Sequence, residues 1–70
     1  MAYDKARVGR RIKSLRIDKG IDQKQLAEIS GVSLASISQY ELGQTVIGME
    51  NAVKIADVLG CSLDSLACRD

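Results

Sequence analysis

Hydrophobic and polar positions along this 70-residue chain follow the 3.6-residue period of α-helices, and glycines at Gly20, Gly31, Gly43 and Gly60 fall where the phase breaks. Val8, Ile12 and Leu15 recur at i, i+4, i+7 and predict a first helix from Asp4 or Lys5 to Lys19, ended by Gly20. Asp22, with Gln25 three residues on, has the form of a capping box. It predicts a second helix reaching about Ser30, with Leu26, Ala27 and Ile29 as apolar members and Gly31 as its stop. Ser33 is the next N-cap, opening a third helix from Leu34 to about Leu42 in which Ile37 and Tyr40 face inward. After a loop over 44–48, Met49, Ala52, Val53, Ala56 and Leu59 repeat at helical spacing and predict a fourth helix from Met49 to Leu59, stopped by Gly60. A short fifth helix follows Ser62, with Leu63 and Leu66 as its apolar edge, and Arg69 and Asp70 are expected to be disordered.

Composition agrees with that pattern. The chain is 46% hydrophobic but has no Pro, Phe or Trp, so its core must be packed from Leu, Ile, Val, Ala and Met, which suits short helices better than a sheet. The expected class is all-α, five helices in one domain over residues 1–70. A domain this small buries only about 60% of the surface its unfolded chain exposes, which leaves little tolerance for a poorly packed core.

Charge adds a direction. The formal net charge is only +1, yet residues 1–19 carry seven basic side chains against two acidic ones, a local +5 that leaves the remainder at −4. A one-ended basic field steers a protein towards phosphate even when the total is near zero. The alternative is an ordinary solvated helix face.

Enzyme chemistry finds no footing: there is no histidine, no nucleophile beside a base, no glycine-rich phosphate loop and no Cys/His set for zinc. No cofactor and no small-molecule site is expected. Cys61 and Cys68 are too few for a disulfide framework and read as reduced packing residues. No apolar run approaches the ~20 residues of a membrane span and no signal-peptide pattern opens the chain, so a cytoplasmic protein without membrane contact is expected.

The segment 23–42, QKQLAEISGVSLASISQYEL, holds the most specific signal. Small Ala27 allows two helices to cross closely, Gly31 supplies a left-handed turn, and Val32 and Ile37 turn inward to set the second helix at a steep angle. That is the spacing of a helix-turn-helix, whose second helix can enter a major groove. Together with RRIKSLR ahead of it, the ELG that closes helix three and the KIADVLGCSLDSL tail, the chain resembles the Cro/C1-type (phage-repressor-like, XRE) helix-turn-helix domains over about residues 8–66. The resemblance implies the compact five-helix lambda-repressor-like fold, with the helix-turn-helix at helices two and three.

It also implies roles for particular residues. Arg16 and Glu41 match positions that pair in the family, tying helix one to the back of the reading helix; the alternative is a surface pair of little energy. Gln23 matches a glutamine that touches phosphate at a helix N-terminus, or is simply an exposed first-turn residue. The reading surface falls on Ser33, Leu34, Ala35 and Ser36, with Gln39 as the best base reader through adenine N6/N7, and with Leu34 and Ala35 against thymine methyls. In the following loop, where relatives often carry Lys, Arg or Asn, this chain has Gln44, Thr45, Val46 and Ile47, so Gln44 and Thr45 are the candidate phosphate contacts.

The implied function is a sequence-specific DNA-binding transcriptional regulator, a repressor binding double-stranded DNA as a homodimer on a palindromic operator. Val46, Ile47, Leu63 and Leu66 are the apolar candidates for the dimer contact, the alternative for each being the domain's own core, which is favoured for Leu63 and Leu66. A rival reading is a protein-interaction module on the same fold, since Leu34, Ala35, Val46 and Ile47 lie where polar or basic residues are expected.

Overall fold

The computed structural model describes residues 4–67; Cys68 and the expected disorder of Arg69 and Asp70 lie outside the described residues. Five helices follow in chain order: α1 (Lys5–Asp18), α2 (Gln23–Ser30), α3 (Leu34–Glu41), α4 (Met49–Leu59) and α5 (Leu63–Leu66). Four of them begin under a side-chain cap. Asp4 accepts from the Ala6 amide, Ser33 from Ser36 and Ser62 from Ser65, while Asp22 and Gln25 form the reciprocal capping box. The exception is α4, whose N-cap, Gly48, offers no side chain.

One cluster of buried residues joins the elements: Val8 and Ile12 of α1, Leu26 of α2, Ile37 and Tyr40 of α3, Ala52, Ile55, Ala56 and Leu59 of α4, and Leu66 of α5, with Val32 and Ile47 from the connections. Full burial of a side chain such as Ile37 contributes roughly 1.5–3 kcal/mol, so these dozen residues carry the fold. α3 packs against both α1 and α2, while α4 closes against α2 and α5.

The turn between α2 and α3 takes three residues. Gly31 ends α2 at φ 79° and donates its amide to the Ala27 carbonyl at 3.0 Å; a residue with a Cβ is strained in that left-handed conformation. Val32 then drops into the core, its amide donating to Ser30 Oγ at 3.2 Å, and Ser33 caps α3.

Several expectations need correction. Ile29, read as an apolar member of α2, is 63% exposed, because the core-facing stripe of so short a helix is filled by Leu26 and Ala27. In α4, Met49 and Val53 are exposed, whereas Ile55, absent from the expected set, is completely buried. The stripe there runs Ala52, Ile55, Ala56, Leu59, and Val53 sits about 100° round the helix from Ala52. Ile47 is not a surface residue of the loop but part of the core, and Leu66 is core as favoured, so neither is free for a dimer contact, whereas Leu63, favoured for the core with it, is 38% exposed. The Tyr40 ring is core as expected, and its hydroxyl accepts from Asn51 Nδ2 at 2.8 Å.

Candidate nucleic-acid interface

Two buried side chains orient α3. Ile37 and Tyr40 face the interior, so the opposite side of the helix, with Leu34, Ala35 and Gln39, is turned to solvent, and Ser36 is half-buried at its edge. Leu34 is 47% exposed. The Ser33 hydroxyl accepts from the Ser36 amide at 3.1 Å and donates to Ser36 Oγ at 2.8 Å, which leaves the Ser36 hydroxyl proton available to an outside acceptor. This end of α3 therefore presents a hydroxyl, two apolar side chains and a glutamine amide.

The other end of α3 is held rigidly. Arg16 grips Glu41 with two parallel bonds, Nε to Oε2 at 2.8 Å and Nη2 to Oε1 at 3.1 Å, and donates Nη1 to the Ile21 carbonyl at 2.9 Å. The Glu41 side chain keeps only 3% of its exposure and that of Arg16 11%. Arg16 is held protonated to higher pH than usual, chiefly by the hydrogen bond to Glu41, against the opposing effect of its own burial. Gln23 joins the same carboxylate, donating Nε2 to Glu41 Oε1 at 3.1 Å. The ends of α1, α2 and α3 therefore converge on one acidic group, with Gln23 retaining its carbonyl and one N–H for other partners.

The α2 N-terminus carries a complication for an anion. Asp22 places a carboxylate at the end where Gln23 and Lys24 offer backbone N–H groups, and that carboxylate already accepts from the Gln25 amide at 2.7 Å. A phosphate approaching there meets a negative charge as well as the positive end of the helix.

After α3, Gly43 at φ 73° returns the chain so that the Gln44 amide donates to the Gln39 carbonyl at 2.9 Å and Gly43 to the Tyr40 carbonyl at 3.0 Å. Gln44, Thr45 and Val46 are exposed beside α3, and the Thr45 hydroxyl donates to Gln39 Oε1 at 3.4 Å. The reading face and the loop form one continuous surface.

The comparisons fit this geometry. The helix-turn-helix family model matches residues 12–66, which takes in every element from the middle of α1 to the end of α5. The chain belongs to the helix-turn-helix family. Among curated members it is 49% identical over 47 residues to the cryptic phage CTXphi transcriptional repressor RstR of Vibrio cholerae, and 31% identical over 58 residues to the SPbeta prophage-derived regulator YonR of Bacillus subtilis. These alignments cover 67% and 83% of this chain but only 42% and 54% of the relatives, so the chain spans about half their length. Two solved helix-turn-helix structures superpose closely, each over 90% of this chain and 96% of the other. The restriction-modification controller protein C.AhdI of Aeromonas hydrophila gives a TM-score of 0.85 at 32% identity, and the P22 c2 repressor, in complex with a synthetic operator, 0.83 at 36%. The Cro/C1-type, lambda-repressor-like architecture is therefore that of this helix-turn-helix protein, with the motif at α2 and α3.

Two residues that position the motif escaped the periodicity. Gly9 lies buried in α1, where an added Cβ would strike the Tyr40 carbonyl oxygen and sit 3.0 Å from that of Glu41. A glycine inside a helix costs about 1 kcal/mol against alanine, and that unexplained cost was the available signal. Asn51 gave none, because nothing in the helical period marks it as the partner of Tyr40. Among the described residues no group of His, Cys, Asp and Glu could hold a metal ion, and no helix is long and apolar enough to cross a membrane.

Proposed function

We propose that this chain is a sequence-specific DNA-binding transcriptional regulator, a cytoplasmic repressor that occupies a palindromic operator as a homodimer and performs no chemistry. The observation that carries the reading is the outward turn of α3: Ile37, Tyr40 and Glu41 are all held from behind, so Leu34, Ala35, Ser36 and Gln39 are offered as a preformed edge for a major groove. Gln39 reads a base edge, Leu34 and Ala35 meet thymine methyls, and Ser33, Gln23, Gln44 and Thr45 approach the backbone. Arg16 and Glu41 hold the reader in place without touching DNA bases. The naming of RstR as a repressor and the operator complex of the P22 c2 repressor support this assignment by similarity. With Ile47 and Leu66 consumed by the core, Val46 and Leu63 are the remaining apolar candidates for the dimer contact.

Selection of duplexes from a random pool tests the reading. An enriched palindrome with half-sites ~34 Å apart is expected, and Gln39→Ala should weaken binding to it by about 1–3 kcal/mol while relaxing preference at one base pair. One observation favours a second reading, a protein-interaction module: Val46, 57% exposed, lies beside α3 where a phosphate-binding surface is better served by a cation. Equal binding of wild type and Gln39→Ala to every duplex would support that module and end the operator reading.

A further inference from the structure

We propose that Thr45 is a positioning residue for base recognition: its hydroxyl restrains the Gln39 side-chain amide at the edge of the groove, so that less freedom is lost when the amide meets a base. The proposal rests on the operator reading above and deepens it. A glutamine amide carries an acceptor and a donor side by side, and it matches adenine only when its carbonyl meets N6–H₂ and its NH₂ meets N7. Rotated by half a turn about its last bond, the same amide opposes donor to donor. A solvent-exposed glutamine on a free stem samples both orientations and loses entropy on choosing one. Gln39 is exposed, and among the described residues nothing on α3 holds its amide.

The loop supplies the constraint. Gly43 turns the backbone back on α3, and the bond from the Gln44 amide to the Gln39 carbonyl, at 2.9 Å, pins the loop to the backbone of the reader itself. The next residue is Thr45, whose Oγ1 donates to Gln39 Oε1 at 3.4 Å. That distance is long for a hydroxyl in water, where solvent competes for both groups, and the bond strengthens when a duplex excludes that water. Because Thr45 donates to Oε1, the carbonyl lies on the loop side and Nε2 on the far side. One lone pair of Oε1 remains for adenine N6–H₂, and both Nε2 hydrogens stay free for N7. The flipped amide would still find an acceptor in Thr45 Oγ1 but would oppose adenine N6–H₂ with its own NH₂, so the hydroxyl restrains the amide beside the groove and adenine selects its sense.

The test compares Thr45→Val, which keeps the shape and removes the hydroxyl, with Thr45→Ser, which keeps the hydroxyl. Binding is measured on the duplex selected by the wild-type chain and on the same duplex with the adenine facing Gln39 changed to guanine. For wild type the adenine preference should fall within about five- to 150-fold, the range of a bidentate contact. Thr45→Val should reduce that preference by about threefold or more, any lost backbone contact weakening both duplexes alike and so leaving the ratio untouched, and Thr45→Ser should retain it. In the free protein, the Gln39 side-chain NH₂ should become more mobile by NMR relaxation in Thr45→Val but not in Thr45→Ser. An unchanged adenine preference and unchanged NH₂ mobility in Thr45→Val would overturn the proposal, as would a Thr45→Ser variant that behaves like Thr45→Val. Failure of the wild-type chain to bind any duplex would instead remove the operator reading on which the base contact depends, while the mobility measurement still decides whether Thr45 restrains Gln39.

Discussion

Gly9 of α1 and the carbonyl of Tyr40 in α3 approach so closely that no side chain fits between them. Helix backbones in such contact fix their relative angle through atoms that cannot change rotamer. Gly9→Ala should therefore destabilise the fold by about 1–3 kcal/mol, although alanine is the better helix former. Urea denaturation followed by circular dichroism gives the sign directly; a stabilised Gly9→Ala chain would mean that α1 and α3 separate at no cost.

Glu41 presents a second point of rigidity, and its loss should be asymmetric. Arg16→Ala leaves a nearly buried carboxylate with only Gln23 as side-chain partner and should cost about 2–4 kcal/mol. Arg16→Lys should recover little, since an ammonium cannot span both carboxylate oxygens and the Ile21 carbonyl at once. Replacing both partners together, Arg16→Met with Glu41→Leu, should cost less than Arg16→Ala alone. Equilibrium unfolding of the three variants yields the coupling.

If α2 does face a phosphate, Asp22 works against it. Asn caps a helix as well as Asp, so Asp22→Asn should leave the melting temperature nearly unchanged. It should also tighten DNA binding, on the order of fivefold per monomer at low salt, with the gain fading as salt is added. Since Gln23, Gln44 and Thr45 are uncharged, the wild-type salt dependence should be shallow, at roughly −0.9 for each phosphate that a cation does neutralise. Fluorescence anisotropy across a salt series measures both effects.

The half-buried Cys61 thiol is pushed above its ordinary range by burial, against a smaller opposing pull from nearby Arg11. Its folded value is raised, so the folded chain holds the proton more tightly than the unfolded one, and stability must fall as pH rises through the ordinary thiol range near ~8.5. Cys61→Ala should flatten that alkaline slope, and iodoacetamide should label Cys61 more slowly in the folded chain than after unfolding.

How much was visible beforehand follows from the kind of information each residue carries. Caps and stops are local chemistry, so Asp22, Ser33 and the glycines gave helix bounds within a residue of those observed, while Asp4, read as a possible first residue, is the cap of α1. Burial is not local. Ile29 and Ile55 have similar hydrophobicity, and only the packing of α2 and α4 decides that one faces water and the other the core. The same holds at the reading surface. Sequence placed Gln39 and Thr45 among the DNA-facing residues, but it could not show that the loop brings one against the other, because that depends on how far the backbone turns at Gly43.

The bare start of α4 has its own implication. With no side chain at Gly48 to answer the amides of Glu50 and Asn51, the first turn of that helix opens more readily than a capped one would, and Asn51 rides on it. Each such opening momentarily lets go of the Tyr40 hydroxyl. The rear anchor of α3 is thereby coupled to a fraying event on the far side of the loop, and the steadiness of the reading helix depends on how often its neighbour comes undone.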